Sequence, residues 1–485
     1  MSLKDIFRRK SFDALKKEVS SSKGLVRSFG AFQLILLGVG AIVGGGIFVF
    51  IGPAAYHHAG PAITLSFALS GFVCICAGLC YAEFASVVPA SGSSYTYAYA
   101  VLGEFPAWLI GCSMIMTYFL AAASVANGWS SYFVGLLAHY GIHLPAKFVH
   151  TTGYEIVGVN GGIEQAIFDI PAFCISILTM LVLYRGTKES SMVNNIVVFI
   201  KIAILVAFIL IGFTKIDLSN WTPFIPENTG KFGEYGLSGV IAGISIVFLA
   251  FNGFDSVCTA AQETKNPQKN LPIGIIGATL FSTIVYIFVG AVLTGVVSYK
   301  DLNTSEPIAV AVDRMGIPAF ITLVKLGALA AITSVILVNQ YVVIRMIYAI
   351  AGDGLLPSVF KKIHKKYHTP HLTTLFIGLP LGIVAASCVL ETILKLSTFL
   401  VLLTIMTICF GTIYMRYKYP NLERGFKCPF VPWIPLVAIL LVVQILFGYP
   451  CSTVFGATVC LVIFTVYYLL YGQYKSKLYQ SPKIS

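Results

Sequence analysis

The chain has 485 residues, 57% of them hydrophobic and 11% charged, with a net charge of +12 and a mean hydropathy of +0.86. Soluble domains carry roughly 25% charged residues, so a soluble globular protein is excluded. The positive charge is spread over the segments between apolar runs, which excludes a nucleic-acid-binding surface and points to a lipid bilayer as partner.

Residues 1–29 are basic and amphipathic (FRRKSFDALKKEV), and no small-residue cleavage site follows a short apolar core. They read as a cytosolic segment lying on the membrane surface, with the first apolar run as an uncleaved signal. Apolar runs then recur at 31–53, 62–87, 97–125, 168–184, 191–213, 238–258, 272–297, 319–350, 372–390, 393–415, 431–449 and 452–472, and 473–485 form a tail. Each run is long enough to cross a bilayer as a helix. Helices satisfy their own backbone hydrogen bonds in lipid, whereas a β-barrel would show short alternating segments. The predicted class is an all-α, multi-pass membrane protein of twelve transmembrane helices.

With the N-terminus inside, the cytosolic segments hold 23 basic residues and the opposite side 6. This positive-inside pattern predicts both termini in the cytosol, with the plasma membrane as the expected location. Most of the 11 cysteines lie within apolar runs without CxxC pairs, and all eight histidines fall in loops or near run ends. Neither pattern predicts a disulfide framework, a metal site or a buried histidine relay.

Two runs are interrupted at matching places. Gly44, Gly45 and Gly46 break the first run (AIVGGGIF), and Asn252-Gly253 breaks the sixth (VFLAFNGFD), five runs later. Paired breaks in successive halves point to an inverted-repeat transporter. A broken helix leaves orphaned N–H and C=O groups that are tolerable only around a polar cavity. The N-terminal end of a second half-helix suits a carboxylate, and the carbonyls ending the first suit an ammonium. Close helix packing through small residues is the alternative use of these glycines.

FRRKSFDALKKE, AIVGGGIF, YAEF with VPASGSSYTY, ANGWSSYF, VNNIVVFIK, AFNGFDSVCTAAQETKNPQKNLPIGI and LGALAAITSV followed by AIAGDGLLP occur in that order. Together they resemble the cationic amino acid transporter branch of the amino acid–polyamine–organocation superfamily. The resemblance implies a five-plus-five inverted repeat, here 30–214 and 238–416, followed by two helices at 431–472, and amino acid transport by alternating access. Carried over by motif, Gly44, Gly45 and Gly46 would hold the substrate carboxylate, and the carbonyls of Ile42 and of Ala250, Phe251 and Asn252 its α-amine. No cofactor is expected, and a proton rather than sodium is the expected coupling ion.

Lys201 lies near the middle of the fifth run, too deep to snorkel. It reads either as a fixed cation bonded to carbonyls at the broken helices or as a group that releases and rebinds a proton as the site opens and closes. Glu83 in CYAEF is placed by the resemblance at the inner gate, or it bonds neighbouring groups. Asp255, in the first turn after the second break, reads as a structural acid stabilising that helix end. Arg345 is expected to pair near the cytosolic mouth.

The chain departs from the family at three places. Thr117, in GCSMIMTYF, stands where many relatives carry a glutamate, so an easy explanation for a cationic preference is missing. Leu249 replaces an aromatic residue commonly stacked over the substrate, leaving Phe248 or Phe251 as other covers. Gly45 replaces a frequent threonine but keeps its N–H. The reading is therefore a secondary amino acid transporter, with an uncoupled exchanger or a non-transporting amino acid sensor as alternatives. An enzyme would need a catalytic or metal cluster that the sequence does not display, and an ATP-driven pump a GxxxxGK[ST] loop.

Overall fold

The computed structural model describes residues 8–10, 29–88, 93–157, 163–186, 190–367 and 369–480. Most of the basic N-terminal segment, residues 89–92 and the last five residues of the tail lie outside them. Among the described residues the apolar runs form α1 (Ala31–Ile42), α2 (Ile63–Val87), α3 (Glu104–His139), α4 (Ile170–Arg185), α5 (Ser190–Phe213) and α6 (Gly236–Val247). They continue as α7 (Pro267–Val296), α8 (Pro318–Gly352), α9 (His371–Ser387), α10 (Leu390–Lys418), α11 (Trp433–Phe447) and α12 (Cys451–Tyr467). Seven stretches are long and apolar enough to cross a membrane, and four further apolar helices are 10–17 residues long. The β-structure among these residues is an antiparallel ribbon, β1 (Glu155–Val157) with β2 (Ile163–Gln165), between α3 and α4, and a single parallel bridge between Phe29 and Thr264.

The helices end where the local chemistry ends them. Asp169 caps α4, accepting the Ala172 N–H at 3.0 Å, and Pro171 follows where a missing N–H costs nothing. One boundary differs from the sequence reading. A short helix, Ser93–Val101, is separated from α3 by Gly103 at φ 112°, a torsion that favours glycine. The third span therefore starts at Glu104 and continues through ANGWSSYFVGLLAH, whose apolar stripe survives its polar residues.

The helices pack around the two interrupted spans. α7 lies against α1 and α2, α3 against α8 and α10, and α4 against α9. Outer faces display large apolar side chains such as Phe288, Leu326, Phe376 and Leu440, which is what lipid rather than water requires. At one end of the bundle both chain-end segments meet at Asp353, which follows α8. Lys10 reaches its carboxylate at 2.8 Å, Tyr95 donates to it at 2.7 Å, and the Lys477 amide donates to its carbonyl at 3.0 Å.

Candidate functional site

Both interruptions are present. α1 stops at Ile42, Val43 turns out of the helix (ψ 107°), and the chain resumes as a wide turn over Gly46–Phe50. In the sixth run α6 tightens into a 3-10 turn, Phe248–Phe251, and leaves it at Asn252 (ψ 133°). Gly253, at φ 108°, then starts a second 3-10 segment, Phe254–Glu263. The two breaks touch each other reciprocally. A methyl group added to Gly46 would lie 2.2 Å from the Ala250 Cα, and one added to Gly253 would lie 3.0 Å from the Ala41 Cβ.

The backbone accounting at the first break is specific. In an unbroken helix the N–H groups of Gly44, Gly45 and Gly46 would serve the carbonyls of Gly40, Ala41 and Ile42. Here none of the three N–H groups has a backbone partner among the described residues. Two of the abandoned carbonyls are taken by side chains. Lys201, fully buried on α5, donates to Gly40 and Val43 at 2.6 Å each. Tyr286, fully buried on α7, places its hydroxyl 2.9 Å from the Ile42 carbonyl and 2.9 Å from the Ala250 carbonyl of the other break. The break thus presents bare donors and a converging pair of acceptors within one buried region. Asn252 adds a primary amide whose oxygen and nitrogen are both shielded and without a hydrogen-bond partner among the described residues.

The glycines also serve the packing alternative. A methyl at Gly44 would sit 2.2 Å from Val335 Cγ2 of α8, and one at Gly45 would sit 2.6 Å from Val125 Cγ2 of α3. Each glycine therefore admits a different neighbour while leaving its N–H without a backbone partner among the described residues.

The other residues singled out in the sequence have the following surroundings. Thr117 is stitched to α10, its carbonyl accepting from Ser397 Oγ at 2.9 Å and its hydroxyl reaching the Ser397 carbonyl at 3.4 Å. Phe248, Leu249, Ala250 and Phe251 are all buried. Phe251 meets Tyr286 and Phe67 edge-on, with centroids 5.2 and 6.4 Å away, so its ring is committed to the α2–α7 side. Asp255 accepts from Tyr118 at 2.5 Å and Ser93 at 3.3 Å, which ties the second half of the sixth run to α3. Both partners are neutral, in keeping with a structural acid.

Glu83 is fully buried near the end of α2 and has the strongest set of partners. Arg416 of α10 grips it bidentately at 2.7 and 2.8 Å, Arg424 stands 3.0 Å away, and the Cys428 N–H donates at 2.9 Å. Arg424 also caps α10, donating to the carbonyls of Met415 at 3.4 Å and Tyr419 at 2.8 Å, and reaches the Leu422 carbonyl of the following turn at 2.8 Å. One carboxylate therefore holds two guanidiniums and pins α2 to α10. The expectation for Arg345 is corrected: among the described residues it has no carboxylate partner and lies over the Tyr341 ring, 5.1 Å from the centroid.

Sequence reasoning missed Tyr286, whose signal is a single hydroxyl at mid-depth in FSTIVYIFVG. It also missed Arg416 and Arg424, which it counted only as loop charges. The spacing of two arginines in different segments carries no hint that one glutamate gathers them.

Comparison with known proteins gives a match to the amino acid permease family over residues 29–471. The chain belongs to that family. It is 38% identical to the methylthioribose transporter of Bacillus subtilis, over 98% of this chain and 100% of that protein. It is 40% identical to the branched-chain amino acid permease BcaP of the same organism, over 98% of the chain and 99% of the relative. Cationic amino acid transporter 9, chloroplastic, from Arabidopsis thaliana is 39% identical over 71% of this chain and 58% of its own length. This permease-family chain is a multi-pass membrane transporter rather than an enzyme.

Proposed function

We propose that this permease carries free, neutral L-amino acids across the membrane by alternating access, coupled to protons. The observation that carries the reading is the accounting at the first break. Three glycine N–H groups have no backbone partner among the described residues, while carbonyls from both breaks converge within 2.9 Å of one tyrosine hydroxyl. A zwitterion fits both halves: its carboxylate on the N–H groups of Gly44, Gly45 and Gly46, its ammonium on the carbonyls of Ile42 and Ala250 to Asn252. Leu249 and Phe248 then close over the side chain.

The preference for a neutral side chain rests on electrostatics. A buried cationic side chain needs a counter-charge. Glu83 is already held by two arginines, Asp255 is bonded to Tyr118 and Ser93, and position 117 is a threonine. The relative named as a branched-chain amino acid permease fits this preference.

A twelve-span, five-plus-five arrangement is supported by helix partnerships five apart, α2 with α7, α3 with α8 and α4 with α9. The 57-residue apolar stretch Ala31–Val87 is also long enough for two crossings. Lys201 is the proposed coupling group, because its ammonium is bonded to the carbonyls that end the first half-helix and any movement of that half-helix changes its solvation. Glu83 with Arg416 and Arg424 forms the proposed inner gate. Charge asymmetry supports cytosolic termini and the plasma membrane.

Purified protein in proteoliposomes tests the reading. Uptake of labelled leucine or alanine, raised by an inward proton gradient and not competed by lysine, is the expected result. Uptake that needs internal amino acid and ignores the gradient would make the protein an exchanger. Binding without flux would make it a sensor. The relative named as a methylthioribose transporter supplies the sharpest counter-test. That sugar has neither carboxylate nor amine, so if it alone protects the protein thermally, the zwitterion clasp is wrong.

A further inference from the structure

Away from the breaks, at the end of the bundle where both chain-end segments meet, a cavity of about 440 Å³ opens between α4, α8, the α8–α9 connection and the start of α9. Its cationic walls are Arg185, the last residue of α4, Arg345, on the second-last turn of α8, and Lys366 of the connection. Among the described residues no aspartate or glutamate lines it. None of the three cations has a carboxylate partner within 4.0 Å among the described residues; Arg345 and Lys366 instead lie over the rings of Tyr341 and Tyr367, at 5.1 and 5.4 Å from the centroids. Pro370 and Thr374 bring the N-terminal turn of the 17-residue helix α9 to the same wall. That end carries the positive half of the helix dipole.

Three like charges around one cavity repel each other, and no carboxylate among the described residues neutralises them, the tyrosine rings offsetting them only in part. The arrangement is complementary to an anion whose oxygens accept from guanidinium forks, and a phosphate suits this best. The surroundings indicate what the phosphate is attached to. The exposed residues along α4 include Leu178, Leu181 and Val182, and those along α9 include Phe376, Leu379 and Ile383. The cavity therefore continues into an apolar, lipid-facing surface, and its tyrosines sit where aromatic rings anchor at a membrane interface.

We propose that this cavity binds the phosphate headgroup of an anionic phospholipid from the leaflet on the side of the chain termini, with the acyl chains lying along α4 and α9. Basic pockets between transmembrane helices at this depth are suited to such headgroups. The site is separate from the amino acid clasp and does not depend on it. It fixes the α8–α9 connection to α4 through a ligand shared by three segments.

The test uses the full-length purified protein in a neutral detergent, with phosphatidylglycerol, phosphatidylcholine, glycerol phosphate and inorganic phosphate as probes, read by thermal shift and by lipid retention in native mass spectrometry. Phosphatidylglycerol should raise the melting temperature and remain bound, while the other three at equal concentration should not. The R185A/R345A/K366A variant should bind phosphatidylglycerol more weakly by on the order of a hundredfold, whereas K361A/K362A/K365A, from the same connection, should bind as the parent does. Equal protection by inorganic phosphate would overturn the lipid assignment in favour of a free anion. Equal loss in both triple variants would overturn the site itself, leaving diffuse surface charge. Should the cavity triple fail to fold, R345Q alone is read in its place, with weaker retention supporting the site and unchanged retention overturning it.

Discussion

Tyr286 holds its hydroxyl 2.9 Å from the Ile42 carbonyl, and it lies at the same distance from the carbonyl of Ala250 in the other broken span. One hydroxyl has one proton, so it donates to one of these oxygens at a time. The second oxygen remains an acceptor in a buried place, where an unmet acceptor costs about 1–3 kcal/mol. This frustration is relieved by a ligand that brings its own protons, as an ammonium does.

Tyr286→Phe should therefore lower the melting temperature of the substrate-free protein and increase the stabilisation given by a saturating amino acid. Thermal shift with and without ligand measures both. If the variant gains no extra ligand response, the converging carbonyls are not where the amine sits.

Lys201→Met should abolish uptake, since it leaves the Gly40 and Val43 carbonyls buried with no donor. Lys201→Arg separates charge from titration, because arginine does not release its proton in a protein. The arginine variant should still bind amino acid in a thermal-shift assay while its uptake no longer responds to a pH gradient. Gradient-driven uptake at parental rate would remove Lys201 from the coupling mechanism.

Glu83→Gln removes the charge that holds two guanidiniums. Breaking a buried ion pair by deleting one partner costs about 3–5 kcal/mol, and Arg416, partly open to solvent, brings the expected loss toward the lower figure. The observable is Cys428, which is buried and donates its N–H to Glu83. Peptide mapping after maleimide treatment should find Cys428 labelled in the variant and protected in the parent.

The glycines of the first break should differ in whether they can be rescued. A methyl at Gly45 would strike the Val125 side chain, whereas one at Gly46 would strike the Ala250 backbone. Gly45→Ala should lose binding and regain much of it with Val125→Ala. Gly46→Ala should lose it and not regain it with Ala250→Gly, because the Cα remains in the way. Isothermal titration of the single and double variants decides the matter.

Much of this architecture was legible in the sequence because apolar run length and interruption are strong signals in a membrane chain. AIVGGGIF and AFNGFD located both breaks, and the depth of Lys201 announced a buried cation near backbone acceptors. The placement beside Gly40 and Val43 came from the family resemblance and from tertiary structure, since no spacing within one helix encodes the neighbour of another. Tyr286 escaped notice because one hydroxyl hardly alters the hydropathy of its run. Arg345 was expected to pair because unpaired charges are costly in lipid, but at the bundle's rim it is exposed and lies over the aromatic face of Tyr341, which relaxes that requirement. Gly103 marked a helix boundary that a hydropathy window averages away.

The junction at Asp353 has a practical consequence for anyone handling this protein. Lys10 from the front of the polypeptide and Lys477 from its rear are moored to the same post, with Tyr95 steadying it. A fusion partner or affinity handle grafted at either extremity will load one shared joint at the foot of α8, so tags at opposite ends should disturb the carrier in the same way.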